Sequence, residues 1–249
     1  MVADPSEVVD ARHPFAQITM GLHLCYELDL PPECSDAQVA ESLARLHQTA
    51  RDLPFDSVTP VFQVAGADCE PGTWGEGEPL EWFFKHFTTG YREIDDDESK
   101  PVRALTAVGF TVAPGRRCEP ATFGLARYPE AVTAHPESDG PGVATLGWHW
   151  HTCCKTQYAS VVSDEHLIRC HRSLVSLLDE AAAIGIGVTV RDETHYWETR
   201  DANRLIDEVH RMNRIVAKLA GRLGDMVGKD FKVGGSITDH PRFEHLEME

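Results

Sequence analysis

No stretch of this sequence stays apolar for the ~20 residues a helix needs to span a bilayer, which excludes a membrane-spanning helix. The first residues, MVADPSEVVDARHPF, lack the basic start and apolar core of a secretory signal. They are also not the Arg-rich, acid-poor stretch of a transit peptide, so the expected location is cytoplasmic. Positive charge is scarce. Against 40 Asp and Glu stand 23 Lys and Arg, a formal charge of -17 that repels a phosphate backbone and argues against nucleic acid as a partner. The acid surplus serves solubility, and it would also suit a basic protein partner.

Cysteine pairing is missing too. The 7 cysteines are an odd number with no CxxC spacing, so free thiols fit better than a disulfide framework or a zinc ribbon. There is no GxSxG, phosphate-binding glycine loop, HExxH or dinucleotide fingerprint, which leaves nucleotide-dependent chemistry unsupported.

What is present is the composition of an ordinary globular protein, 42% hydrophobic and 25% charged over 249 residues, ample for a continuous core. The segment ITMGLHLCYELDL reads as a strand stopped by Pro31 and Pro32. Ser35 and Gln38 then form a capping-box pattern ahead of Val39, Leu43, Leu46 and Ala50 at helical spacing. A short apolar run covers 58–64, a short aromatic-rich helix is expected over 80–87, and the acids of IDDDES read as a solvated loop. Residues 102–113 read as a strand ending at the Pro114-Gly115 turn.

The chain also echoes itself. VFQVAGADCEPGTWG and GFTVAPGRRCEPATFG share Phe62 with Phe110, Cys69 with Cys118, Pro71 with Pro120 and Trp74 with Phe123, a candidate internal duplication.

Residues 129–142, rich in Pro, Gly and acids, are the best boundary. They divide an N-terminal α+β half (1–128) from a strand-helix-strand-helix half (143–227), followed by a surface tail (228–249); both halves can also form a single domain. In the C-terminal half, a helix capped by Ser163 aligns Leu167, His171, Leu174, Leu178 and Ala181. The last helix aligns Leu205, Val209, Met212, Val216, Leu219 and Leu223. That seam could serve a homo-oligomer, but it is short for a coiled coil, and packing on the chain's own sheet is the favoured reading. The expected fold is α+β, with a mixed or antiparallel-rich sheet and two long C-terminal core helices packed on it.

The segment WHWHTCCKTQY carries the clearest polar pattern. Alternation on a strand sets His149, His151, Cys153, Lys155 and Gln157 opposite Trp148, Trp150, Thr152, Cys154, Thr156 and Tyr158. His149 and His151, starting roughly 7 Å apart, can lean onto one cation and are the candidate metal ligands, with zinc, iron or nickel as candidate cofactors. A third ligand would come from Cys153, if the strand bulges, or from His195, Glu193, His171 or His23. The bland alternative is a wet strand face behind a Trp core.

DETHYWE follows an apolar strand. If the sheet is parallel there, Glu193, His195 and Glu198 gather at a strand's carboxyl end, where a carboxylate can orient an imidazole as acid or base. The same acids also read as a helix start over packed Tyr196 and Trp197. Cys153 shares the His face and is the candidate nucleophile, so the candidate catalytic set is His195, Glu193 and Cys153. His166 and Cys170 stand i and i+4 on a helix, but Cys170 lies close to the apolar stripe and reads as a packed core thiol.

Two readings follow. One is a small-molecule enzyme or ligand-binding protein with a His/Cys-lined pocket closed by DETHYWE; the other is a non-catalytic acidic interaction module. The polar pattern favours the first, without deciding between catalysis and binding.

Overall fold

The computed structural model describes residues 22–69, 92–95, 98–101, 104–128, 132–133, 143–144 and 147–227. The chain divides into two compact units, residues 21–213 and residues 1–20 with 214–249. In the second unit the described part is the end of the last helix.

The elements in chain order are β1 (Leu24–Leu30), α1 (Asp36–Asp52), β2 (Ser57–Val58), β3 (Phe62–Ala65), β4 (Arg92–Asp95), β5 (Glu98–Pro101), β6 (Thr106–Ala113) and β7 (Ala121–Arg127). There follow β8 (Val132–Thr133), β9 (Val143–Ala144), β10 (Trp148–Cys154), α2 (Asp164–Ala183), β11 (Gly187–Asp192), α3 (Tyr196–Thr199) and α4 (Ala202–Val227). The fold is α+β. Seven strands form one sheet in the order β11-β1-β10-β7-β6-β2, with β3 also on β6, and every pairing in it is antiparallel. The sheet draws its strands from both sides of the 129–142 boundary.

β1 lies between β10 and β11 and pairs with both. The crossover through α2 therefore joins two strands that run the same way without touching. The condition that would have put DETHYWE beside a parallel neighbour is not met, because the first strand of the chain occupies that place.

The helices form where their start signals stand. Ser35 Oγ accepts from Gln38 N at 3.4 Å while Ser35 N donates to Gln38 Oε1 at 2.9 Å, closing the capping box. α1 then buries Val39, Leu43, Leu46 and Ala50. Ser163 caps α2 by accepting from His166 N at 3.1 Å, and α2 buries Leu167, Leu174 and Leu178. Leu205 and Val209 of α4 join the same core. The side chains of Leu219 and Leu223 lie outside the described residues.

An aromatic stack runs through the core, from Tyr26 to Phe123 at 5.1 Å and from Phe123 to Phe110 at 5.8 Å. β10 and β7 share the rungs Trp148–Arg127 and His149–Ala126. Further along, the Thr122 carbonyl accepts from Tyr26 Oη at 2.7 Å and Trp150 Nε1 at 3.2 Å, so both buried donors are satisfied. Gly147 enters β10 so close to the Pro31–Pro32 turn that a Cβ there would stand 2.7 Å from the Leu30 carbonyl oxygen.

Other expectations fare differently. Asp95 and Glu98 face each other across the β4–β5 hairpin rather than lying in a loop; Asp96 and Asp97 are outside the described residues. The 80–87 helix also falls outside them. Phe62 and Phe110 do lie on adjacent strands, with Phe62 opposite Gly109. Glu70, Pro71 and Trp74 are not among the described residues, and the duplication is not confirmed. No described helix is long and apolar enough to cross a membrane.

Candidate functional site

The antiparallel register sets β10 against β1 with His149 opposite Asp29, His151 opposite Glu27 and Cys153 opposite Cys25. His149 Nδ1 lies 2.6 Å from Asp29 Oδ1, with the imidazole 11% exposed. Cys153 is joined to Cys25 in a disulfide with a Cα–Cα distance of 4.0 Å. This corrects two expectations. Not all cysteines are free thiols, and Cys153 has no free sulfur to act as the nucleophile, because the register places a second cysteine directly across from it. Among the described residues no group of three or more His, Cys, Asp or Glu is placed to hold a metal, so His149 and His151 have no third ligand there. β10 ends at Cys154, so alternation does not carry on to Lys155 and Gln157, which are buried instead.

The DETHYWE segment does not gather its acids around His195. Glu193 Oε2 accepts from His23 N at 2.8 Å and lies 3.3 Å from His23 Nδ1. His195 is exposed with a left-handed backbone at φ 60°. What points inward is Asp192, on the same side of β11 as Val188 and Val190. Its Oδ2 accepts from His171 Nε2 at 3.0 Å and from Trp197 N at 2.9 Å, and its Oδ1 accepts from the Thr194 hydroxyl at 2.7 Å. Thr156 Oγ1 sits 2.8 Å from His171 Nδ1, and Tyr196 closes edge-on against the imidazole. Burial pushes the Asp192 carboxyl up, but the His171 hydrogen bond and charge, with both Thr194 donors, outweigh it and hold the group at about 2. The network resembles a hydrolase relay in its residue types. Thr156 is only 3% exposed, so this arrangement locks β10, α2 and β11 together rather than meeting a substrate.

A cysteine cluster begins at the residue before His171 on α2. Three sulfurs converge there: Cys118 from the β6–β7 turn, Cys154 from the end of β10 and Cys170 from α2. Cys118 is half-buried, while Cys154 and Cys170 are fully buried. Cys154 donates to the Glu119 carbonyl at 3.1 Å, and burial, followed by the Glu119 and Cys170 charges, pushes this thiol well up. It stays protonated and inert.

Cys170 is different. Donors crowd its sulfur: the Cys118 thiol, Arg169 Nη2 at 3.6 Å and His166 Nε2 at 3.7 Å. His166 Nε2 donates to the Arg116 carbonyl at 2.9 Å, which fixes the proton on that nitrogen, and Nδ1 accepts from Arg169 Nη2 at 3.3 Å. That one N–H is shared, pointing chiefly at the Arg116 carbonyl with Cys170 Sγ farther off at 3.7 Å. Arg169 is itself braced by the Pro54 carbonyl and by Asp56 at 3.4 Å.

The Cys118 hydrogen bond leads in pulling Cys170 below the ordinary thiol range, with Arg169 helping against burial and Asp56. The same hydrogen bond, together with burial, pushes Cys118 up. With Cys118 held up and Cys170 held down, Cys170 is the sulfur of the pair that loses its proton first. Gly115 makes room for it, since a Cβ there would come within 2.5 Å of Cys170 Sγ and 2.7 Å of Arg169 Nη2.

No protein family, curated protein or solved structure matches this chain. Its chemistry rests on its own geometry. Sequence reasoning had paired His166 with Cys170 but missed Cys118, 52 positions away, whose approach depends on how the β6–β7 turn folds over α2. The Pro114-Gly115 signal marked that turn without revealing what it would touch.

Proposed function

We propose that this chain is a small-molecule enzyme or binding protein whose working groups are the Cys118/Cys170 dithiol, served by His166 and Arg169, and whose chemistry is thiol–disulfide exchange. The observation that supports it is the approach of Arg169 Nη2 and His166 Nε2 to Cys170 Sγ, at 3.6 and 3.7 Å, beside a second, partly exposed thiol, Cys118.

In the reaction, the Cys118 proton moves to Cys170 and leaves Cys118 as the accessible thiolate. Cys118 attacks one sulfur of a small disulfide, forming a mixed disulfide as the small molecule's own S–S bond breaks and its other sulfur leaves as a thiolate. Cys170 then gives its proton to that thiolate, attacks Cys118 Sγ and releases the second sulfur as a thiolate that takes its proton from water. The protein dithiol is oxidised to a disulfide, and the small disulfide is reduced by two electrons. Arg169 and the His166 N–H stabilise the buried thiolate before the second attack. A cytoplasmic setting belongs to this reading only if the Cys25–Cys153 bond is protected from the reducing pool, because structural disulfides are uncommon there.

Native protein exposed to hydroxyethyl disulfide, acid-quenched and mapped by peptide mass, should show a Cys118–Cys170 bond in addition to Cys25–Cys153. The Cys170→Ser variant should stop at a mixed disulfide on Cys118. Modification confined to Cys34, with Cys118 and Cys170 left reduced, would reject the proposal.

A further inference from the structure

An open groove of about 440 Å³ runs along α2, and its lining includes the cations Arg169 and Arg172, one acid, Glu165, and Ser173, Ser176 and Leu53. Arg169 belongs to both places, since the guanidinium that lines the groove also stands 3.6 Å from Cys170 Sγ. Arg172 is exposed and has no hydrogen bond or ion pair to another described residue. An exposed guanidinium in a groove that shares Arg169 with the dithiol, set against the single acid Glu165, is a recognition point for a carboxylate.

We infer that the disulfide reduced at Cys118/Cys170 is a small, carboxylate-bearing peptide disulfide, held through Arg172 in this groove. The inference rests on the thiol–disulfide reading and adds to it the charge of the substrate. It runs against the charge of the whole chain, -17, which at long range favours a cationic partner over an anionic one. A preference for an anionic disulfide therefore has to come from local cations. Arg172 is the one whose charge no described partner offsets.

The test compares two probes of opposite charge, glutathione disulfide and the dication cystamine, each reacted with native protein while Cys118–Cys170 bond formation is followed by quenched peptide mapping. At low salt, glutathione disulfide should react faster by on the order of tenfold after correction for the intrinsic reactivity of the two probes with a free thiol. Arg172→Gln, an exposed change that leaves the core untouched, should erase that preference while cystamine still reacts. High salt should shrink it in the native protein. If cystamine reacts as fast or faster in both proteins, the substrate inference is overturned while the dithiol reading stands. If neither probe yields the Cys118–Cys170 bond, the dithiol reading falls and takes the inference with it.

Discussion

The His171 imidazole donates from Nε2 to Asp192 Oδ2 at 3.0 Å, and the two side chains are 1% and 0% exposed. Asp192 titrates at about 2 in the folded chain against an ordinary 3.8. Because its folded value is depressed, its contribution is complete above pH 4 to 5 and is lost as pH falls through about 2. Urea denaturation across that window should show a loss of about 2 kcal/mol traceable to this group. Asp192→Asn should be less stable at neutral pH and should lack that part of the acid dependence. An unchanged acid profile in the variant would remove Asp192 from the account.

Leu174 on α2 is fully buried in the shared core. Leu174→Ala should cost about 2 to 5 kcal/mol by the lost burial and the cavity left behind. Leu43→Ala, on the stripe of α1, belongs to the same class. Chemical denaturation showing both changes neutral would contradict the packing of these helices.

Much of the fold was legible in local signals. The Ser35/Gln38 box, the α1 stripe and the Ser163 cap each act within one turn of helix, so sequence spacing carries them. The candidate site was far less legible. Cys25 meets Cys153 only through the β1–β10 register, across 128 positions. Cys118 meets Cys170 only because the β6–β7 turn lies on α2. Asp192 is legible from alternation alone, because β11 puts it on the side of Val188 and Val190, while Glu193 and His195 lie beyond the strand's end. Registers and turn placement are tertiary facts, and they decided which of the seven cysteines could do chemistry.

The Cys25–Cys153 bond closes a long loop, so removing it should release the most chain entropy of any covalent change in the molecule. The Cys25→Ser/Cys153→Ser double variant should lose about 2 to 5 kcal/mol. Thermal unfolding with and without reductant measures it. The native protein should melt lower once reduced, and the double variant should be indifferent to reductant. Equal melting temperatures throughout would dismiss the bond as a source of stability.

Gly115→Ala should disturb the dithiol before it disturbs the fold. The added methyl would meet Arg169 Nη2, which can swing aside, and Cys170 Sγ, which is buried and can move little. A cost of about 1 to 3 kcal/mol is expected from overpacking, together with slower oxidation of the Cys118/Cys170 pair. Native oxidation kinetics in this variant would show that the turn does not govern the site.

The dithiol itself is tested most directly by the pH dependence of iodoacetamide alkylation, resolved by peptide mapping at Cys118 and Cys170. Arg169 Nη2 and His166 Nε2 stand 3.6 and 3.7 Å from Cys170 Sγ, the sulfur held below the ordinary thiol range. Alkylation of the pair should therefore rise with a midpoint below the ordinary thiol value of about 8.5. Cys118→Ser and Arg169→Gln should each move that midpoint upward, the first by replacing the thiol that donates to the Cys170 thiolate and the second by removing a cation. A midpoint at or above about 8.5 in the native protein, unmoved by either change, would contradict the proposed chemistry.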